Sequence, residues 1–290
     1  MREAMLYDTL KHRAVRCRLC FRRCLITAGN RGFCGVRENR DGTLYALNYP
    51  LAISAAIDPI EKKPLNRFMP GTRTYSFAAA GCNLRCPWCQ NAAIAWVDEN
   101  APVKGTHITP EDHIKAALRH GCHSVACTYT EPTVYVEYAL ETMQRAREAG
   151  LKTVWVTNGA MSPEALAMIL PWLDAANVDY KVPGSRHVAR FSLAPGDPVV
   201  KTIDTMVKAG VHVEVTTLVV PGVNDDEATL REMVETMVST WGTEVPWHVS
   251  RFFPSALMRE AKPTPLATLT MVQRFGEQAG LKHVYLGNVW

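Results

Sequence analysis

Long hydrophobic runs are missing from this sequence. No stretch of about 18 or more apolar residues occurs among its 290 positions, so no membrane-spanning helix is expected. The opening MREAMLYDTLKHR lacks the apolar core of a secretory signal, which makes the cytoplasm the expected location. A dominant charge is missing too. The 32 Lys and Arg nearly balance the 28 Asp and Glu, and the net charge of +4 is spread along the chain, so no nucleic-acid surface is expected. The densest basic stretch, KHRAVRCRLCFRR (11–23), is threaded with cysteines and belongs to another pattern. What is present is a globular composition, 47% hydrophobic and 21% charged, long enough for one large domain or a domain with an appendage.

Nine cysteines stand out against this background. In a reducing cytoplasm they are poor disulfide material, and seven of the nine fall into two tight groups. Metal ligation is the better reading.

From about residue 74 onward, short β-branched and apolar runs alternate with helix-like stretches. Strands are expected at 74–81, 123–132, 152–159, 176–184, 211–222 and 246–254. The stretches between carry helix signals: Thr109 before Pro110 with Gly121 as stop, Ser162 before Pro163, acids at 225–227 with Gly242 as stop, and Thr264 before Pro265 with Gly280 as stop. Nearly continuous apolar strands alternating with helices mean a parallel sheet covered by helices. Six such units suit a partial TIM-type barrel as well as a doubly wound sheet, and in both the chemistry belongs at the C-terminal ends of the strands. Residues 1–70 break the rhythm and read as an N-terminal extension to a core spanning 71–290. Within the extension, DGTLYALNYPLAISAAI (41–57) suggests a hairpin or two short strands, followed by an irregular Pro- and Lys-rich connector.

GCNLRCPWCQN (81–91) places Cys82, Cys86 and Cys89 directly after the first of these strands. Thiolates are the preferred ligands of iron–sulfur clusters, and the usual complement is four. Three leave a position open, which marks a reactive metal site rather than a structural one. A zinc site completed by Cys122, Cys127 or a histidine is the plainer alternative. Cys122 and Cys127 also suit small buried residues around the second strand.

The spacing of these cysteines, with Trp88 just before the last, resembles that of the radical S-adenosylmethionine (SAM) enzymes. The resemblance implies a partial (β/α)6 TIM-type barrel with an N-terminal cysteine-rich extension. It also implies a [4Fe–4S] cluster on Cys82, Cys86 and Cys89, with SAM chelated at the fourth iron. Reductive cleavage of SAM to methionine and a hydrogen-abstracting 5′-deoxyadenosyl radical follows from that. TEP (130–132) resembles the motif that binds the SAM ammonium, with Glu131 as the implied acceptor. TNG (157–159) and DYK (179–181) resemble motifs of pyruvate formate-lyase activating enzymes, which implies Thr157 and Asn158 near the SAM sugar and Lys181 at its carboxylate. Val156 and Thr216 stand where those activases carry an acid and an arginine. A narrower resemblance, to the radical SAM component of the AmmeMemoRadiSam system, runs through GFCGVRENRDGTLYAL (32–47), DPIEKKPL (58–65), YTEPT (129–133) and PWHVSRFFP (246–254). His248 lies in the last of these. A satisfied core histidine and a SAM- or substrate-facing role are both open to it.

CRLCFRRCLITAGNRGFC (17–34) sets Cys17, Cys20, Cys24 and Cys34 at the spacing of a closed four-thiolate site, for Zn or a second [4Fe–4S] cluster. Such a site would knit a segment too short for its own core. The functions in view are a radical SAM oxidoreductase, either glycyl-radical-activase-like or acting on a small molecule, and a non-catalytic zinc-binding scaffold. The resemblance implies a low-potential electron donor, flavodoxin or ferredoxin, and functional partnership with Memo-like and AMMECR-like proteins.

Overall fold

The computed structural model describes residues 1–184 and 194–289. Its main sheet has nine strands: β1 (Leu51–Pro59), β2 (Arg73–Ala79), β3 (Thr106–His107), β4 (Ser124–Cys127), β5 (Lys152–Thr157), β6 (Ala175–Asp179), β7 (His212–Val219), β8 (Trp247–Arg251) and β9 (Val284–Gly287). In space they run 9-8-7-6-5-4-2-1-3. From β2 through β4 to β9 every neighbouring pair is parallel, with Ser124 level with Thr74 and Val154 level with Ala175. Each new parallel strand joins the same edge, and the order never reverses. A doubly wound sheet needs such a reversal; a barrel does not. The chain is therefore a partial TIM-type barrel.

Helices α1 (Ala92–Ala95), α2 (Pro110–Arg119), α3 (Val136–Glu148), α4 (Pro163–Ile169), α5 (Gly196–Lys208), α6 (Glu227–Trp241) and α7 (Leu266–Gln278) occupy the crossovers. Thr109 caps α2 as expected: its hydroxyl accepts the Asp112 N–H at 3.2 Å, and the Asp112 carboxylate accepts the Thr109 N–H at 3.1 Å. The identical Thr-Pro signal at Thr264 does something else. Helix α7 starts without a side-chain cap, and the buried Thr264 hydroxyl donates to the Val219 carbonyl (2.6 Å) and accepts the Phe252 N–H (3.2 Å). Buried polar groups take the partners at hand, and here those lie at the ends of β7 and β8.

The stretch 41–57 divides between two sheets. Thr43–Ala46 pairs antiparallel with Arg37–Arg40 in a small sheet, whereas β1 runs antiparallel along β2 in the main one, Asp58 opposite Thr74. Tyr7–Thr9, Val15–Cys17 and Leu25–Ile26 form a further small sheet.

On the helix-covered face of the main sheet lie Phe77, Val125, Trp155, Val178, Val215 and Trp247, all buried. Part of the other face is covered by the connector after β1. Ile60 and Leu65 pack on Ala126, Val154 and Ala175 from three consecutive strands. Glu214, on β7, hooks the connector in place by accepting the N–H groups of Asn66 (3.0 Å) and Arg67 (2.7 Å), and the Asn177 amide donates to the Pro64 carbonyl at 2.8 Å. The connector thus stops the barrel near the starts of its strands.

Candidate active site

Gly81 turns the chain out of β2 at φ 111°, and a Cβ there would meet the Val36 side chain at 2.8 Å. Only glycine fits both constraints. The loop that follows holds Cys86 buried and Cys82 and Cys89 half-buried, all as free thiols. It is tightened by the Cys89 N–H on the Cys86 carbonyl (3.0 Å) and by the Leu84 N–H on Cys82 Sγ (3.4 Å). The segment after β8 clasps it from outside, through Ser255 Oγ on the Trp88 carbonyl (2.7 Å) and the Leu257 N–H on the Pro87 carbonyl (2.8 Å). Trp88 itself is buried. Burial pushes the Cys86 thiol up to about 11, with Lys181 working against it and Cys89 adding to it; Cys82 is raised by burial, Glu131 and its fellow thiols. Ionising three crowded thiols needs a cation among them, which is what a thiolate-bound metal centre provides.

Glu131, just past β4, is 1% exposed. Its Oε1 accepts the Thr133 N–H (3.0 Å), the Thr133 hydroxyl (2.6 Å) and the Thr157 hydroxyl (2.8 Å), while Oε2 accepts the Asn158 N–H (2.9 Å). Burial raises its pKa, against the pull of these donors. The Asn158 amide donates to Asn83 Oδ1 at 2.8 Å and lies 3.8 Å from Cys82 Sγ. One network therefore ties the ends of β2, β4 and β5 together. Lys181, two residues past β6, pairs with Asp179 at 2.7 Å. Burial opposes its charge, but Asp179 and the Cys86 and Cys82 thiols outweigh burial and raise its pKa. Asn224, after β7, fixes the Lys181 backbone by donating to its carbonyl at 2.8 Å.

Cys82, Cys86, Cys89, Glu131, Thr157, Asn158 and Lys181 are thus gathered at the C-terminal ends of the strands. His248 is not among them. It sits near the start of β8, 2.7 Å from Glu214 and beside the Tyr285 ring, as a core histidine with its partner. Sequence reasoning overlooked Asn83 and Asn224. Asn83 carries no signal beyond its place inside the cysteine loop, and Asn224 none beyond its place in VVPGVNDD (219–226) at the end of β7.

Cys17, Cys20, Cys24 and Cys34 line one cavity of about 20 Å³, together with Arg22, Arg37 and Asn83. Cys20 bridges to Met161, so this layer is docked against the loop after β5. In neither cysteine set, nor elsewhere among the described residues, are three His, Cys, Asp or Glu side chains drawn together around one point in this structure.

A profile of the radical SAM superfamily matches residues 78–234, more than half of the chain. An uncharacterised protein of Methanocaldococcus jannaschii is 43% identical over 290 residues, covering 100% of this chain and 86% of that one. The 7-carboxy-7-deazaguanine synthase of Thermococcus kodakarensis is 30% identical over 127 residues, 38% of this chain and 50% of that one. In fold, the chain is similar to a radical SAM methyltransferase from Sphaerobacter thermophilus, with a TM-score of 0.55 at 13% identity over 76% of this chain and 67% of that one. The matched span runs from β2 into α6 and contains the cysteine loop, Glu131 and Lys181: this chain belongs to the radical SAM superfamily.

Proposed function

We propose that this protein cleaves SAM reductively and uses the resulting radical to abstract hydrogen from a small polar molecule. The observation that carries the reading is the convergence of three free thiols with Glu131, Asn158 and Lys181 at four neighbouring strand ends. Cys82, Cys86 and Cys89 hold a [4Fe–4S] cluster in this reading, and the donor set fits one: three thiols, no fourth, and a lysine against them. When bound, such a cluster would supply the electron for reductive cleavage of SAM to methionine and a 5′-deoxyadenosyl radical.

The protein's own part is to bind and orient. Glu131 Oε2 accepts a single N–H, from Asn158, and so keeps acceptor capacity for the SAM ammonium. Thr157 and Asn158 hold that carboxylate in position. Lys181, tethered by Asp179, offers a positive charge to the SAM carboxylate. The electron comes from a low-potential donor, flavodoxin or ferredoxin. Memo-like and AMMECR-like proteins are its proposed functional partners, in the cytoplasm.

The barrel interior favours a small substrate. Lys63, 1% exposed, pairs with Asp58 at 2.7 Å and lies 4.2 Å from the centre of the Tyr129 ring, whose hydroxyl donates to the same carboxylate. Tyr129 adopts a left-handed conformation, φ 63°, two residues before Glu131. In this reading the triad supplies a polar wall to a small molecule bound beside it. The partial similarity to a deazaguanine-forming synthase supports the same reading. Glycyl-radical activation of a protein is the second reading, resting on TNG and DYK.

The test is 5′-deoxyadenosine formation by anaerobically reconstituted protein with SAM and a strong reductant. Formation that disappears in Cys86→Ala of unchanged fold is expected. Its absence from iron-replete protein supplied with substrate extract and donor would refute the reading. Deuterium entering 5′-deoxyadenosine from the low-molecular-mass fraction of a labelled extract, and not from its protein fraction, separates the two substrate classes.

A further inference from the structure

The four N-terminal cysteines take no part in the chemistry above, yet their surroundings are built for charge. Cys17, Cys20 and Cys34 are buried and Cys24 half-buried around their common cavity, which is large enough for about one water-sized sphere. Arg37 lines the same cavity and is 1% exposed. Its Nη2 donates to Glu137 at 2.6 Å, but Nε and Nη1 are buried with no hydrogen-bond partner. Its electrostatic neighbours besides Glu137 are Cys17 and Cys34. A buried guanidinium with idle donors is costly. Neutral thiols would leave it so, whereas metal-bound thiolates accept N–H···S bonds and balance its charge.

Two more arginines point the same way. Arg22 and Arg85 stack on Phe33, 3.4 Å and 4.7 Å from its ring centre. Arg22 faces Cys20, Cys24 and Cys82, and Arg85 faces Cys82, Cys34 and Cys89. Both side chains donate to backbone carbonyls, Arg22 to Asn83 (2.5 Å) and Arg85 to Cys82 and Leu84 (3.0 Å each) and Phe33 (2.9 Å). Like charges packed together in this way are stable next to anionic centres on either side.

We infer that Cys17, Cys20, Cys24 and Cys34, which stand apart around their common cavity in this structure, draw in on a thiophilic metal centre, Zn²⁺ or an iron–sulfur cluster, to form a closed four-thiolate site that receives N–H···S bonds from Arg37. Four protein ligands leave no open position, so the centre binds no substrate. It stiffens the layer that carries Arg22 onto Asn83, and through Asn83 onto Asn158 and the network around Glu131. Either centre would act as a clasp.

The full chain with Cys82→Ala, Cys86→Ala and Cys89→Ala isolates this site, since it removes the other set of thiols. Purified anaerobically, it should retain about one Zn per chain, or about four Fe with matching acid-labile sulfide. Adding Cys24→Ser, at the half-exposed ligand, should abolish that retention while far-UV circular dichroism is unchanged. Arg37→Met should weaken retention against a chelator about 10- to 100-fold, the usual effect of losing an outer partner of a metal ligand. A metal-free triple variant of native fold, or metal that persists through Cys24→Ser and Cys20→Ser alike, overturns the inference. Because the radical SAM thiols are absent from this protein, neither result bears on SAM cleavage.

Discussion

Replacing Glu131 by Gln tests the site at its most connected residue. The change keeps shape and removes charge. As a carboxylate, Glu131 collects three donors on Oε1 and one on Oε2. An amide offers one oxygen, and the three-donor side is the better place for it. The amide NH2 then faces the Asn158 N–H and the position assigned to the SAM ammonium, donor against donor. A lost charge-assisted hydrogen bond is worth about 1.5–3 kcal/mol, so SAM should bind roughly 10- to 150-fold more weakly. The Asn158 N–H left buried and unpaired should cost a further ~1–3 kcal/mol of folding stability. Thr157→Val, which removes one neutral donor, should weaken SAM binding by only about 2- to 10-fold. Anaerobic calorimetric titration of the iron-loaded variants with SAM reads these numbers, and iron content should stay at the wild-type level. An iron-replete Glu131→Gln protein that binds SAM within about twofold of wild type would show that this carboxylate does not meet the ammonium.

Acid should expose the role of Glu214. Burial would raise its pKa, but bonds from His212, His248 and the Arg67 and Asn66 N–H groups outweigh burial and hold it at about 2, below the ordinary 4.5. The folded value lies below the unfolded one, so the stabilisation is complete above pH 4.5 and lost as pH falls toward 2, an effect of about 3 kcal/mol. Denaturant unfolding across that window should show it in the wild type and not in Glu214→Gln. Asp58→Asn leaves the Lys63 ammonium buried without its carboxylate and should cost about 3–5 kcal/mol; the double variant with Lys63→Met should recover most of this in the same assay, and equal loss in both would count against the pair. Gly81→Ala adds a Cβ at 2.8 Å from Val36 where φ is 111°, a strain of about 1–3 kcal/mol. It should lower iron retention on gel filtration, and full retention would show that the loop absorbs the change.

Six of the seven parallel strands were legible because each is an apolar run ending in a breaker, and the cysteine spacing pointed to the strand ends at which the candidate site residues gather. The roles proposed for Glu131 and Lys181 rest on resemblance: a carboxylate or lysine at a strand end carries no mark of its own. Other features are non-local. Strand β9 is as short as β4 but only half-buried where β4 is wholly buried, and the sequence reading did not place it. Thr109 and Thr264 share one signal and differ only in burial, which no local reading contains. His248 could not be settled from sequence because its partner Glu214 lies 34 residues away on the neighbouring strand. The destination of β1 depended likewise on which strand it would meet.

The connector that packs near the strand starts closes the route through that end of the barrel. If the proposed small substrate sits beneath SAM, toward that closed end, it would enter first and leave last. SAM binding to an enzyme still lacking substrate would then be a dead end. Initial rates should fall at high SAM, and raising the substrate concentration should relieve the inhibition.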